Sequence, residues 1–165
     1  MKEIDVTSIN QYVDIMSLRK NPAIAIANNG TQTNGLTIGW FSLGVLWHHY
    51  CATTYIHATR YSKQIFDGAE YYAVCIMEEK HKDVVSYFGR VSGRDENKIE
   101  KCGLKLNCDD VAPYFEESKA VILCRIMGKS DFDVNSVDDS VKQWYQKEGV
   151  HTQYYGDIVK VLVKE

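Results

Sequence analysis

The stretch Thr33-Asn34-Gly35-Leu36-Thr37-Ile38-Gly39-Trp40 decides how this chain is read. Thr, Ile and Trp favour a strand, yet amide, hydroxyl and indole groups stand where a purely structural strand carries Val or Leu. The preceding run, Ala23-Ile24-Ala25-Ile26-Ala27, is another strand that stops at Asn28-Asn29-Gly30, a strong turn signal. The two form a hairpin around residues 28–33, with its second arm over residues 35–41. Further on, Ile56-His57-Ala58-Thr59-Arg60-Tyr61-Ser62 reads as a strand running into a cationic, hydroxyl-bearing turn and then a helix starting near Ser62. Free N–H groups at a helix start, beside an arginine and a serine, favour an anion. A strand edge offering backbone amides, a Thr hydroxyl and an indole suits a flat heteroaromatic ring. Anion grip and ring platform together point to a phosphorylated aromatic cofactor.

The other elements follow from punctuation and periodicity. Residues 42–50 read as irregular, residues 51–56 as a third strand, and residues 62–66 as a short helix ending at Gly68. Residues 71–76 form a fourth strand. Val84, Val85 and Phe88 have helical spacing over residues 80–88, with Gly89 as a C-cap. A short helix is expected over residues 95–101, stopped by Gly103, and the longest strand over residues 119–127. A helix over residues 138–147 would place Val141 and Trp144 on one face and end at Gly149. The chain closes with a strand over residues 152–163, broken by Gly156. Many strands with short helices between them, and no βαβ alternation, give a mainly β fold, a barrel with decorating helices.

Bulk properties narrow the function classes. A chain of 165 residues is one domain by length and buries a real core. The net charge of -3, without a Lys/Arg block, gives no electrostatic footprint for nucleic acid. No run approaches a membrane span, and Met1-Lys2-Glu3-Ile4-Asp5 lacks the apolar stretch of a signal peptide. The five cysteines are scattered, with no C-x-x-C pair or zinc spacing, which suits a reduced, cytoplasmic protein. His48, His49, Cys51 and His57 do not form a metal set, since adjacent histidines on a strand point to opposite faces.

Four blocks resemble one family. They are Asn34-x-x-Thr37-x-x-Trp40 with Gly44 and Trp47, then Arg60-Tyr61-Ser62, then Gly89-x-x-Ser92-Gly93-Arg94-Asp95-x-x-Lys98, and last His151-x-x-Tyr154-Tyr155-Gly156-Asp157-Ile158. In this order they resemble the flavin reductase-like family of FMN-binding split barrels, in its flavoredoxin-like branch. Leu36 stands where that branch usually has Met, His57 where it often has Arg, and Ser62 where Thr is usual. The resemblance implies a split β-barrel that binds FMN through Asn34, Leu36, Thr37, Ile38, Trp40, His57, Arg60 and Ser62. In relatives the first segment meets the pyrimidine edge of the isoalloxazine, where donors stabilise the reduced anion. His151 corresponds to a histidine near the flavin or nicotinamide, where it would orient a ring rather than act as a base. The family also implies a homodimer with the FMN cleft between protomers.

Each block has a plainer reading beside this one. Asn34, Thr37 and Trp40 also suit a polar edge strand, Ser62 a helix cap, and His151 a solvated residue at a strand entry. The Ser92–Asp95 turn is structural by default, with Asp95 as a cap. The expected activity is an NAD(P)H-dependent flavin or small-acceptor reductase, passing electrons to a small molecule or a protein. An FMN-binding electron carrier without NAD(P)H oxidation is the alternative, because no dinucleotide glycine fingerprint appears. A cofactor-free barrel that binds partners is a third possibility.

Overall fold

The computed structural model describes residues 1–145 and 149–164. Among these residues ten strands and four short α-helices follow one another, with 3-10 segments between them. The strands are β1 (Lys2–Ile4), β2 (Ala23–Asn28), β3 (Thr33–Ile38), β4 (Phe41–Leu46), β5 (His49–His57) and β6 (Tyr71–Met77). After them come β7 (Leu106–Asn107), β8 (Tyr114–Phe115), β9 (Ser118–Asp131) and β10 (His151–Val163). The helices are α1 (Ser62–Gly68), α2 (Lys82–Arg90), α3 (Lys98–Lys101) and α4 (Asp139–Lys142).

Eight strands make one antiparallel sheet in the order β3-β2-β6-β9-β10-β5-β4, with β1 on β10, while β7 and β8 pair separately. The fold is therefore mainly β with short helices. Among the described residues the ladder ends at β3 and β4, and no ladder joins these two ends.

The central strands face two cores, which explains their near-continuous apolar runs. On β2, Ala23, Ala25 and Ala27 enter one core while Ile24 and Ile26 enter the other. Similarly, Tyr72 and Val74 of β6 and Ile122 and Cys124 of β9 face the first core, and Ala73, Cys75, Val121 and Leu123 the second. Val85 and Phe88 of α2 and Phe115 of β8 cap the second core. By contrast, β5 and β10 alternate: Ala52, Ile56, Tyr154 and Ile158 point inward, while Thr53, Tyr55, Gln153 and Tyr155 are only half-buried. At its His151 end that outer face meets the 3-10 turn that holds Tyr145, which packs edge-on to His151.

Several expected boundaries move. Residues 41–46 form β4 rather than an irregular stretch, joined to β5 by a tight turn in which Trp47 (φ 52°) and His48 (φ 62°) adopt left-handed conformations. β3 ends at Ile38, before Trp40, so Phe41 begins the next strand. Gly89 lies inside α2, whose C-cap is Val91, and Asn97 rather than Asp95 caps α3 by accepting from Ile99 and Glu100 N–H. The helix expected over residues 138–147 is α4 followed by a 3-10 turn, Gln143–Tyr145, with residues 146–147 outside the described set. Its Trp144 is 64 % exposed, so Val141 and Trp144 make no buried face. β10 runs through Gly156 with a register shift against β9, not a break. A Cβ on Gly156 would lie 2.4 Å from Tyr72 Oη and 2.7 Å from Cys124 Cβ, so the strand passes the core at a distance only glycine allows.

Candidate functional site

The end strand β3, the end of β5 and the first residue of β10 border one cleft of about 550 Å³. Leu36, Thr37, Ile38 and Trp40 line it together with Tyr55 and His57 of β5, Thr59 and Arg60 just beyond that strand, His151, and Gln143 and Trp144 of the 3-10 turn. Seven residues singled out in the sequence, Leu36, Thr37, Ile38, Trp40, His57, Arg60 and His151, therefore share one cavity. Because β3 borders the sheet, its outer edge keeps backbone groups outside any ladder.

Asn34 and Ser62 lie outside this cavity, Ser62 lining the adjoining recess and Asn34 a separate pocket beside Tyr61 and Gly93. Both are buried, and the Asn34 carboxamide donates to Ser62 Oγ at 3.1 Å. Ser62 Oγ donates in turn to the Gly35 carbonyl at 3.1 Å. These bonds tie β3 to the first turn of α1 and commit the serine proton internally. Thr37 is similarly engaged: its Oγ1 donates to the Val85 carbonyl of α2. In this structure its hydroxyl can accept from a ligand while its proton holds the helix.

The cleft continues into a recess of about 180 Å³ that gathers Arg60, Arg90, Arg94 and Lys98. None of the four has a carboxylate within 4.0 Å among the described residues. Arg60 donates to Gly89 O at 2.9 Å, and Arg94 reaches Thr59 O at 3.4 Å while its guanidinium sits 5.5 Å from the Tyr61 ring centre. Lys98 is only 2 % exposed and has Phe88 O, at 3.1 Å, as a hydrogen-bond acceptor. Burial, followed by repulsion from Arg60, lowers its pKa from 10.5 to about 8. Buried cations without counter-ions are costly, and an anion in the recess would relieve that cost.

The turn expected to be structural borders this recess, through Ser92, Gly93, Arg94 and Lys98. A Cβ on Gly93 would lie 2.4 Å from Asn34 Nδ2 and 2.6 Å from Tyr61 Cδ1, so glycine lets this turn close against β3. Sequence reasoning had the residues but not their proximity to Arg60, which comes from α2 folding back over β3. Among the described residues, His49 pairs away from the cleft, its Nδ1 lying 3.0 Å from Asp157 Oδ1.

His151 packs among three other rings, those of Trp40, His57 and Tyr145. Its ring centre is 4.2 Å from that of Trp40, tilted by 32°, and 4.9 Å from that of His57, edge-on. Its Nδ1 is buried and has no hydrogen-bond partner among the described residues. Desolvation, then the charges of His57 and Arg60, lower its pKa from 6.5 to about 4, so the ring is neutral at physiological pH.

The fold is similar to that of several solved structures. The FMN-binding protein of Thermus thermophilus, solved with bound 1-cyclohex-2-enone, superposes with a TM-score of 0.69 at 17% identity, covering 86% of this chain and 69% of that one. Flavoredoxin from Methanosarcina acetivorans gives 0.69 at 17% identity over 88% of this chain and 69% of its own. A flavin reductase domain protein from Arthrobacter sp. FB24 gives 0.66 at 13% identity over 88% and 77%. At such identities these structures show a shared fold. Comparison with curated proteins gave no match. No helix among the described residues is long and apolar enough to cross a membrane. The profile of the flavin reductase like domain matches residues 16–165, and the chain belongs to that family.

Proposed function

We propose that this chain is an FMN-binding flavoprotein acting as an NAD(P)H-dependent reductase of a flavin or another small acceptor. The observation that carries the reading is the junction of an aromatic, backbone-edged cleft with a recess of four unpaired cations. A phosphate monoester matches that recess in charge, and arginine forks suit its oxygens. Arg60, Arg90, Arg94 and Lys98 would hold the phosphate, with Leu36, Thr37, Ile38 and Trp40 along the ring and His57 beside it. Asn34 and Ser62 would act from beneath, by fixing β3 against α1. When bound, FMN supplies reversible two-electron redox chemistry. The neutral His151 offers one N–H and one acceptor nitrogen, and so can orient a second ring without adding charge.

The half-buried outer face of β5 and β10 supports a homodimer. Tyr55 lies opposite Gln153 and Thr53 opposite Tyr155, with Trp47 packed edge-on to Tyr155. This patch is uncharged and aromatic, as interface centres are, and Tyr55 continues it into the cleft.

The test is anaerobic mixing of purified, FMN-loaded protein with NADH and with NADPH. Bleaching of the flavin band by either nucleotide supports the reductase. Bound flavin that only a reduced protein partner bleaches would assign an electron carrier, and failure to bind FMN would overturn both. Size-exclusion mass measurement tests the dimer.

A further inference from the structure

We propose that a groove between the end of β6, α2 and the start of β9 binds a small organic carboxylate with an apolar body. The groove holds about 460 Å³ and shares no lining residue with the cleft or the recess. That volume lies within the range of small-molecule sites. Pro22, Ile76, Met77 and Val85 give it an apolar lining, and Lys20, Lys82 and Lys119 stand beside them.

Two features of the sheet open this groove. The ladder between β2 and β6 ends at the pair Ile24–Cys75, and Pro22, just before β2, has no N–H with which to extend it. Ile76 and Met77 therefore have no β2 partner among the described residues. On its other side β6 steps from the pair Ile76–Ala120 to Met77–Ser118, which leaves Lys119 opposite no residue. A bulge of this kind re-aims a side chain, and Lys119 lines the groove. The wall formed by α2 is fixed, because its Val85, Phe88 and Gly89 carbonyls accept from Thr37, Lys98 and Arg60. A ligand entering a fixed groove has little ordering left to impose.

The charges in the groove select the ligand. None of Lys20, Lys82 and Lys119 has a carboxylate within 4.0 Å among the described residues. Of the two glutamates in the lining, Glu78 is already held by Lys80, at 2.7 Å, and by Lys164. Glu79 is then a single carboxylate against three lysines, so a metal cation is repelled. An inorganic anion would leave the apolar lining in water, and an uncharged apolar molecule would leave the lysines unpaired. A carboxylate on an apolar body answers both, with the Ser86 hydroxyl, one turn after Lys82 on α2, as a further donor.

The test is calorimetric titration of the purified protein with 2-naphthoate, with its neutral amide and with acetate, which keeps the charge but not the body. The naphthoate should bind, and the amide and acetate should each bind at least about ten-fold more weakly. Lys82→Gln and Lys119→Gln should each weaken the naphthoate about two- to five-fold, the scale of an exposed ion pair, and the double variant about ten-fold. Both lysines are exposed, so the variants should keep the wild-type thermal midpoint. Equal binding of naphthoate and amide, or wild-type affinity in the double variant, overturns the proposal. So does a loss of affinity in Arg60→Ala with the lysine variants unchanged, which would put the ligand in the recess instead.

Discussion

Lys98 Nζ meets the carbonyl oxygen of Phe88 at 3.1 Å, which leaves most of a buried ammonium's hydrogen-bonding capacity unspent at the floor of the recess. Nearby Arg60 repels it rather than pairing with it. A lysine so placed costs the ligand-free protein stability and repays it only when an anion arrives.

Replacing it should therefore move two quantities in opposite directions. Lys98→Met removes the desolvated charge and keeps the chain length, so the ligand-free protein should become more stable, by on the order of 1–3 kcal/mol. FMN affinity should fall at least ten-fold, the usual scale for a charge-assisted contact. The folded-state pKa of about 8 lies below the unfolded 10.5, so the unfolded chain binds more protons across that window. Stability of the ligand-free protein should then rise with pH between about 8 and 10.5, and this part of the slope should vanish in Lys98→Met. Urea melts at several pH values and a flavin titration check all three; a destabilised variant with intact FMN binding would reduce Lys98 to packing.

His151→Ala should slow flavin reduction by NAD(P)H by one to two powers of ten, about 1–3 kcal/mol, while FMN affinity changes little. Its pKa near 4 gives a second expectation. The His151 contribution to the reduction rate should be flat above about pH 5.5, because the imidazole is already neutral. Stability should decline as pH falls from about 6.5 through 4, since the unfolded chain takes up the proton first. Stopped-flow rates and thermal midpoints over pH test this; a wild-type rate in the alanine variant would leave His151 a packing residue.

Thr37→Val should act mainly on stability. The hydroxyl proton holds α2 to β3 through the Val85 carbonyl, and losing it should cost about 1 kcal/mol, or a few degrees of midpoint. The spectrum and potential of bound flavin should shift little. A large spectral change with an unmoved midpoint would make the hydroxyl a ring ligand instead.

Gly156→Ala should be among the most damaging small substitutions. The new methyl would collide with Tyr72 Oη and Cys124 Cβ, and the Tyr72 hydroxyl would lose its 2.9 Å bond to Ala52 O. A loss of about 3 kcal/mol is expected, read from a denaturant midpoint. A neutral result would mean that β10 can shift its register at the bulge.

Much of this was legible in the residues. The Ala/Ile alternation of β2 and the turn after it declare a hairpin, and Trp40, Arg60 and His151 were identified from three separate blocks. What stayed hidden was set by tertiary contact. β4 escaped notice because its turn uses Trp47 and His48 where left-handed conformations normally call for glycine or asparagine. The Ser92–Lys98 block reads as an ordinary turn because only the return of α2 over β3 brings Arg94 and Lys98 to Arg60. The hydroxyls of Thr37 and Ser62 look available in sequence, yet carbonyls of Val85 and Gly35 take their protons.

The order of strands across the sheet has a kinetic consequence. Cleft residues come from β3, from the end of β5, from α3 and from the first residue of β10, so the cavity assembles only once pairings distant along the chain have closed. Such topologies form slowly, and no fragment lacking the β9–β10 ladder could present the full constellation. Uptake of a ligand there would report that the last strand has docked, and it would draw the whole conformational equilibrium toward the native state through mass action.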